Sequence, residues 1–355
     1  MNQITPAQAQ AQLEAHLREI IQWHFSPETG CPFWLDWAKK NFDPRQEIRA
    51  VADLQKFPHF QDEWLRDLQP EVWVPAQFKE KPFSIFETGG TTGMPKQRIG
   101  WNDYKVDYSE FSEKISDDHF PRNHFWLMMG PTGPRRLRLA IEHLANVRGS
   151  SCYFIDLDPR WVKKVISAKH FDQAKAYMEH VVDQAVTILK HRKVSGLFTT
   201  PKLLEALAGK IDLWDAGIRG VFCGGTTMAP QYVRFIVEEV LEGRIGFYPT
   251  YGNTLMGLAA SVPLRPEDNF SITYYAPQPR AILRVVDPND TRVTKGYGEW
   301  GRVELTTLTR EFFMPRFLER DEAIRREPRA PYAWDGVAEV RPFGAMEKNI
   351  VEGVY

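Results

Sequence analysis

The 355-residue chain carries 43% hydrophobic and 26% charged residues, ordinary globular usage with apolar mass for one large core or two ordinary ones. Its 45 basic and 46 acidic side chains leave a net charge of -1 with no long Lys or Arg block, which points to a small-molecule ligand and away from nucleic acid or membrane partners. No basic, apolar leader begins at Met1 and no stretch approaches the roughly 18 apolar residues of a membrane span, so a cytoplasmic protein is expected.

In chain order, Thr5-Pro6 reads as a helix N-cap followed by proline at the first helical position, and Leu13, Leu17, Ile20, Ile21 and Trp23 supply an apolar stripe. Residues 31–68 alternate aromatics with charge around a Phe57-Pro58 break, which predicts short helices backing a domain. Phe83-Ser84-Ile85-Phe86 reads as a strand, residues 88–96 as a loop, and Arg98-Ile99-Gly100-Trp101 as a return strand. Phe171, Ala174, Met178, Val181, Ala185 and Ile188 keep helical spacing and lead into a strand at Gly196-Leu197-Phe198-Thr199, after which Thr200-Pro201 starts another helix. Residues 218–222 form a strand ending in Gly224-Gly225, and Pro230 opens a helix to Leu241. A strand at 245–248 then empties into Tyr251-Gly252-Asn253-Thr254. The alternation predicts an α/β sheet with ligands outside the carboxyl ends of its strands. After about residue 257 the helices stop, and strands are expected at 258–262, 281–286, 302–306 and 337–340. The chain therefore divides into an α/β portion, 1–257, and a β-rich subdomain, 258–355.

The hairpin tip carries the chemistry. In Thr88-Gly89-Gly90-Thr91-Thr92-Gly93-Met94-Pro95-Lys96 the glycines allow close backbone approach, so successive amides can point at one anion. Thr88, Thr91 and Thr92 add hydroxyls and Lys96 adds charge, a combination that suits a polyphosphate. A Walker loop needs the lysine directly after the last glycine and then a helix, whereas Met94-Pro95 intervenes and a strand follows, so that reading fails. A solvent-exposed turn is the plain alternative.

This segment resembles the T-S-G-T-T-G-x-P-K signature of the acyl-adenylate-forming (AMP-binding) superfamily, in particular its phenylacetate-CoA ligase-like members. Further matches follow in the family's order. Gly224-Gly225-Thr226-Thr227-Met228 is similar to the adenine-side loop, Tyr251-Gly252-Asn253-Thr254 to the Y-G-x-T-E motif, and residues 298–306 to the G-E-x-G-E-L strand. The resemblance implies the large N-terminal α/β domain of an adenylate-forming enzyme without its small C-terminal domain. ATP would be the nucleotide: Lys96 and the loop amides on the β and γ phosphates, Thr254 on the α-phosphate, and Tyr251 beside adenine. Asp321 is either the ribose-binding aspartate or a surface acid in the charged run 319–326.

Two departures from the family pattern stand out. Leu255 replaces the glutamate that binds Mg²⁺, leaving Glu87 as a substitute ligand or a plain strand-end acid, so magnesium is expected without its usual ligand. The chain also stops where the family's C-terminal domain, with its catalytic lysine, would begin. Slow turnover, on the order of 10²–10³ below that of a complete enzyme, or a partner protein supplying that function, is then expected. The resemblance implies an aromatic carboxylic acid as substrate, with a phenazine carboxylate of the griseoluteic acid type, in antibiotic biosynthesis, favoured. Met129, Gly130, Cys223 and Met228 are the expected acid pocket, although such residues also make ordinary core. Arg135, Arg136 and Arg138 read as a solvated basic face that could alternatively contact an anionic substrate. Cys31, Cys152 and Cys223 read as buried thiols; an acyl-protein synthetase using Cys152 or Cys223, or a binding protein without turnover, are the competing functions.

Overall fold

The computed structural model describes residues 5–89, 94–133, 136–225 and 227–344. Gly90, Thr91, Thr92, Gly93 and Thr226, all expected ligand contacts, lie outside the described residues, as does Arg135. Helix α1 (Pro6–Phe25) starts at the expected cap. The Thr5 hydroxyl accepts from the Gln8 amide and the Gln8 side chain accepts from the Thr5 amide, satisfying two otherwise orphaned donors. The stripe Leu13, Leu17, Ile20 and Ile21 is buried. Short helices α2 (Pro32–Lys40), α3 (Pro44–Glu47) and α4 (Trp64–Asp67) follow.

Strands β1 (Ser84–Glu87) and β2 (Gln97–Gly100) form an antiparallel ribbon with Glu87 opposite Gln97. The chain then runs through α5 (Asp103–Ser112), β3 (Phe125–Met129), α6 (Arg136–Val147), β4 (Cys152–Ile155), α7 (Pro159–Ser167) and α8 (Phe171–His191). Next come β5 (Val194–Thr199), α9 (Pro201–Ala208), β6 (Gly220–Gly224), α10 (Pro230–Phe235) and β7 (Gly246–Asn253). The remainder is β8 (Gly257–Ser261), β9 (Thr273–Tyr275), β10 (Ala281–Val286), β11 (Trp300–Leu308), β12 (Phe313–Arg326) and β13 (Gly336–Pro342). Strands β3 to β13 make one sheet of order β10-β11-β12-β13-β9-β8-β7-β6-β5-β3-β4, parallel from β4 to β7 and antiparallel from β7 to β10.

Two elements differ from expectation. Strand β7 does not end near Tyr248: Tyr251, Gly252 and Asn253 pair with Ala259, Leu258 and Gly257 of β8, so the expected loop is a hairpin arm and the sheet runs unbroken past residue 257. Strand β12 was not expected at all, because its charged stretch lacks apolar alternation. Cross-strand partners replace that signal, among them Arg341 Nε on Glu322 Oε1 at 2.7 Å.

Side-chain alternation gives the parallel strands two different faces. Leu127, Met129, Leu197, Val221 and Cys223 pack on α8 and α9, while Trp126, Met128, Phe198 and Phe222 pack on α5 and α6. A third core joins α1 and α2 to β11 and β12. From β3 the chain steps outward to β4 and returns across to β5 on the other side of β3. The carboxyl ends of β3 and β5 thus flank a topological switch point, where an open α/β sheet leaves a crevice.

Candidate functional site

A cavity of about 300 Å³ opens at this crevice. One part of its wall is polar backbone: Thr88 and Gly89 from the hairpin, Gly224 and Gly225 at the end of β6, and Gly252, Asn253 and Thr254 at the end of β7. The other part is aromatic and apolar, with Tyr108 of α5, Leu137 and Ala140 of α6, Phe198, Phe222 and Leu258, joined by Arg136. Three of the motifs singled out in the sequence, the first well over a hundred residues from the other two, therefore meet around one space.

The hairpin loop is pinched at its base. Thr88 N–H donates to the Lys96 carbonyl and Lys96 N–H to Thr88 Oγ1, both at 3.0 Å, which leaves the Thr88 hydroxyl proton for an outside acceptor. Arg66 Nε ties the outgoing arm through the Met94 carbonyl at 3.0 Å. Gly225 adopts φ +103°, a left-handed conformation that side-chain-bearing residues avoid, and so turns the chain sharply under the cavity.

Lys96 does not line the cavity. Its ammonium is buried over the Phe317 ring at 4.6 Å and donates to Asp62 Oδ1 at 3.0 Å. Burial pushes the Asp62 carboxyl up, but Lys96, Arg66 and Arg320 outweigh it and hold it below the usual carboxylate range. Lys96 also acts on Glu319 and Asp321 of β12. Glu319 is pushed up to about 7 by burial, with Lys96 opposing and Asp321 and Asp62 reinforcing the rise. Asp321 is also raised by burial, against the hydrogen bond from the Tyr251 hydroxyl to its Oδ2 at 2.8 Å. Asn253 connects this cluster to the cavity. Its Nδ2 donates to Glu319 Oε1 at 2.6 Å, while Oδ1 accepts from Leu255 and Met256 amides at 2.9 and 2.7 Å. Asp321 is therefore a half-buried strand residue whose carboxyl is hydrogen-bonded by Tyr251.

Of the expected acid pocket, Met129 and Cys223 face α8 and α9 across the sheet from the cavity, because strand parity puts them one residue out of register with Phe198 and Phe222. Met228 belongs to the core shared with Leu255 and α1. Gly130 makes room for a wall residue: a Cβ there would stand 2.9 Å from Phe198 Cε1. The sequence reading missed Tyr108, Leu137, Phe198 and Phe222. The signal available for the last two was their parity, two residues before the loops that follow each strand.

At Arg136 the solvated-face reading is corrected. Arg136 is only 5% exposed, and its Nη2 donates to Asp103 Oδ1 at 2.6 Å and lies 3.8 Å from Asp107 Oδ2. Arg98 pairs with the same Asp103 and caps the Thr254 and Leu255 carbonyls at 2.9 and 2.7 Å. Arg280 Nε donates to Asp107 Oδ1 at 2.9 Å. Asp107 is pushed up to about 6 by burial, with Arg136 and Arg280 pulling it back.

Leu255 is 2% exposed in apolar core, and Glu87 Oε2 accepts from Arg160 Nη2 at 2.6 Å. Leu255 thus offers no ligand atom for a divalent cation, and the described residues hold no cluster of three or more potential ligands. Burial raises all three free thiols, Cys31 to about 12, which keeps them protonated and poorly nucleophilic. No described helix is long and apolar enough to cross a membrane.

No protein-family model matches the chain, and no curated protein matches it in sequence. Solved structures do resemble it. One is 2-hydroxyisobutyryl-CoA ligase in the postadenylation state with R3-HIB-AMP, at a TM-score of 0.70 and 15% identity, over 96% of this chain and 68% of that one. Another is an open conformation of the same ligase with 2-HIB-AMP and CoA, at a TM-score of 0.68 and 15% identity, over 95% and 74%. The chain thus has the α/β fold of the large N-terminal domain of an adenylate-forming enzyme.

Proposed function

We propose that this chain binds ATP and a carboxylic acid in the cavity and joins them as an acyl adenylate. The observation that carries the reading is the convergence of Thr88-Gly89, Gly224-Gly225 and Gly252-Asn253-Thr254 beside an aromatic-walled space. A carboxylate oxygen attacks the α-phosphorus, the bond to the bridging oxygen breaks, and the β and γ phosphates leave as pyrophosphate with the electron pair. Catalysis of this kind is mostly positioning and neutralisation of spreading charge.

In this scheme the Thr88 hydroxyl and the hairpin amides, including those of Gly90 to Gly93, hold the outgoing phosphates, and Thr254 meets the α-phosphate. Gly224, Gly225 and Tyr251 accommodate the base. Asp321, oriented by Tyr251, receives the ribose hydroxyls. Lys96 acts from behind the wall, compensating the carboxylates of Asp62, Glu319 and Asp321. Phe198, Phe222 and Tyr108 suit a flat aromatic acid, and the sequence resemblance favours a phenazine carboxylate of the griseoluteic acid type.

A second reading, binding without turnover, is favoured by Lys96 being engaged by Asp62 and by Leu255 standing where a metal ligand is expected. The test is acid-dependent exchange of labelled pyrophosphate into ATP, with Mg²⁺ and phenazine, benzoic and phenylacetic acids, alone and with a candidate partner protein. Exchange with AMP-ester formation supports adenylation. Nucleotide binding without exchange selects the second reading, and absence of both removes the assignment.

A further inference from the structure

We infer that Arg136 reads a second group on the acid, so that the substrates are aromatic acids carrying an acceptor oxygen (carboxylate, phenolate or carbonyl) remote from the reacting carboxylate. The inference rests on the adenylation reading above and specifies its substrate class.

Arg136 lines the cavity, and among the described residues its Nη2 is held by Asp103 at 2.6 Å whereas Nη1, on the side of the lining residue Gly257, has no hydrogen-bond partner. A guanidinium offers five donors in a fixed fork and cannot shed its charge, so the unmet Nη1 donors are satisfied by an acceptor brought into the cavity. Arg98 stands outside the cavity wall and spends its terminal nitrogens on Asp103 and two backbone carbonyls. Arg136 is the one of the pair placed to meet a ligand.

Arg136 keeps Nη2 on Asp103, while Asp107 is shared with Arg280, whose terminal nitrogens fork onto Glu110 Oε1 and Oε2 at 2.9 and 2.8 Å. Space beside Arg136 is kept open by Gly257, which also lines the cavity. A Cβ there would stand 3.0 Å from Arg136 Nη1 and 2.4 Å from Asp107 Oδ2, and its φ of +113° disfavours any other residue. Next to this space Phe198 and Phe222 meet edge to face at 5.0 Å, a wall for a flat ring. A ring held there presents its remote substituent to the guanidinium.

The test compares phthalate, isophthalate and terephthalate with the three methylbenzoates as substrates for pyrophosphate exchange. At least one dicarboxylate should exceed its methyl counterpart by about 30-fold or more in kcat/KM, since a site built around an unmet donor rejects a ligand lacking the acceptor. In Arg136→Met the ratio should collapse toward unity, and in Arg136→Lys part of it should return. The wild-type ratio decides even where the variants fold poorly. Equal rates for every pair, or a preference kept in Arg136→Met, overturn the inference and leave adenylation standing. Where ATP binds without exchange, calorimetric affinities for the same acid pairs take the place of kcat/KM, and equal affinities overturn the inference; no exchange and no ATP binding remove both.

Discussion

The Lys96 cluster lies behind the cavity wall at Asn253 and the Arg136 cluster reaches the cavity, and the first gathers Asp62, Glu319 and Asp321 around an ammonium, whereas the second gathers guanidinia around Asp103 and Asp107. The first opens partly to water at Asp62; the second is sealed. Desolvated charges depend on each partner far more than wetted ones, so similar counts of ion pairs carry very different energies.

Removing the central acid of each cluster gives the sharpest contrast. Asp103→Ala removes the ion-pair partner of Arg98 and leaves Arg136 only Asp107 at 3.8 Å, and should cost about 4 kcal/mol in urea unfolding. Asp62→Ala, whose side chain is 23% exposed, should cost no more than about 2 kcal/mol because Glu319 and Asp321 still compensate the Lys96 ammonium. Equal losses would show that the two clusters are equally solvated.

Titration separates them next. Glu319, raised from 4.5 to about 7, and Asp107, raised from 3.8 to about 6, are both favoured in their protonated forms by the fold. Their contributions are full below the unfolded values and are lost as pH rises through 7 and 6 respectively. Each amounts to about 3 kcal/mol. Urea midpoints between pH 4 and 8 should therefore fall in two overlapping steps, the upper one missing in Glu319→Gln and the lower one in Asp107→Asn. A wild-type profile that rises across this range would contradict the burial assigned to both acids.

Smallest are the neutral connections from the wall to the Lys96 cluster. Asn253→Ala frees two amides and a Glu319 oxygen and should cost roughly 1–2 kcal/mol, and Thr88→Val, which unpins the Lys96 amide, about 1 kcal/mol. Thr88→Ser should restore the latter. A loss above that of Asp62→Ala would mean that the hydrogen-bonded wall, and not the ion pair, holds this side together.

These clusters also differ in how far the sequence exposes them. Thr88, Gly225, Asn253 and Asp321 lie in recognisable motifs, since glycines and short polar residues at strand ends mark close backbone approach whatever surrounds them. Helix α1 was equally legible because its cap and stripe are local. The Arg136 cluster draws on residues 98, 103, 107, 136 and 280, and only folding brings them together. Its trace was Asp103 and Asp107, one helical turn apart on a segment that also buries Tyr104, Tyr108 and Phe111. Arginines in a run look solvated until an acid pair is known to face them. Met129 and Cys223 were misplaced for another reason: a buried strand is apolar on both faces, so composition cannot tell which parity meets the cavity.

The first helix is completed by the last third of the chain. His16 Nε2 lies 2.8 Å from the Leu308 carbonyl, 292 residues away, and Trp23 and His24 reach the Arg310 and Thr309 carbonyls. During synthesis at about 5–20 residues per second, the apolar stripe of α1 is made on the order of 15–60 s before β11 and β12 emerge to cover it. For that interval Leu13, Leu17, Ile20 and Ile21, buried in the folded chain, form a sticky surface on the nascent one.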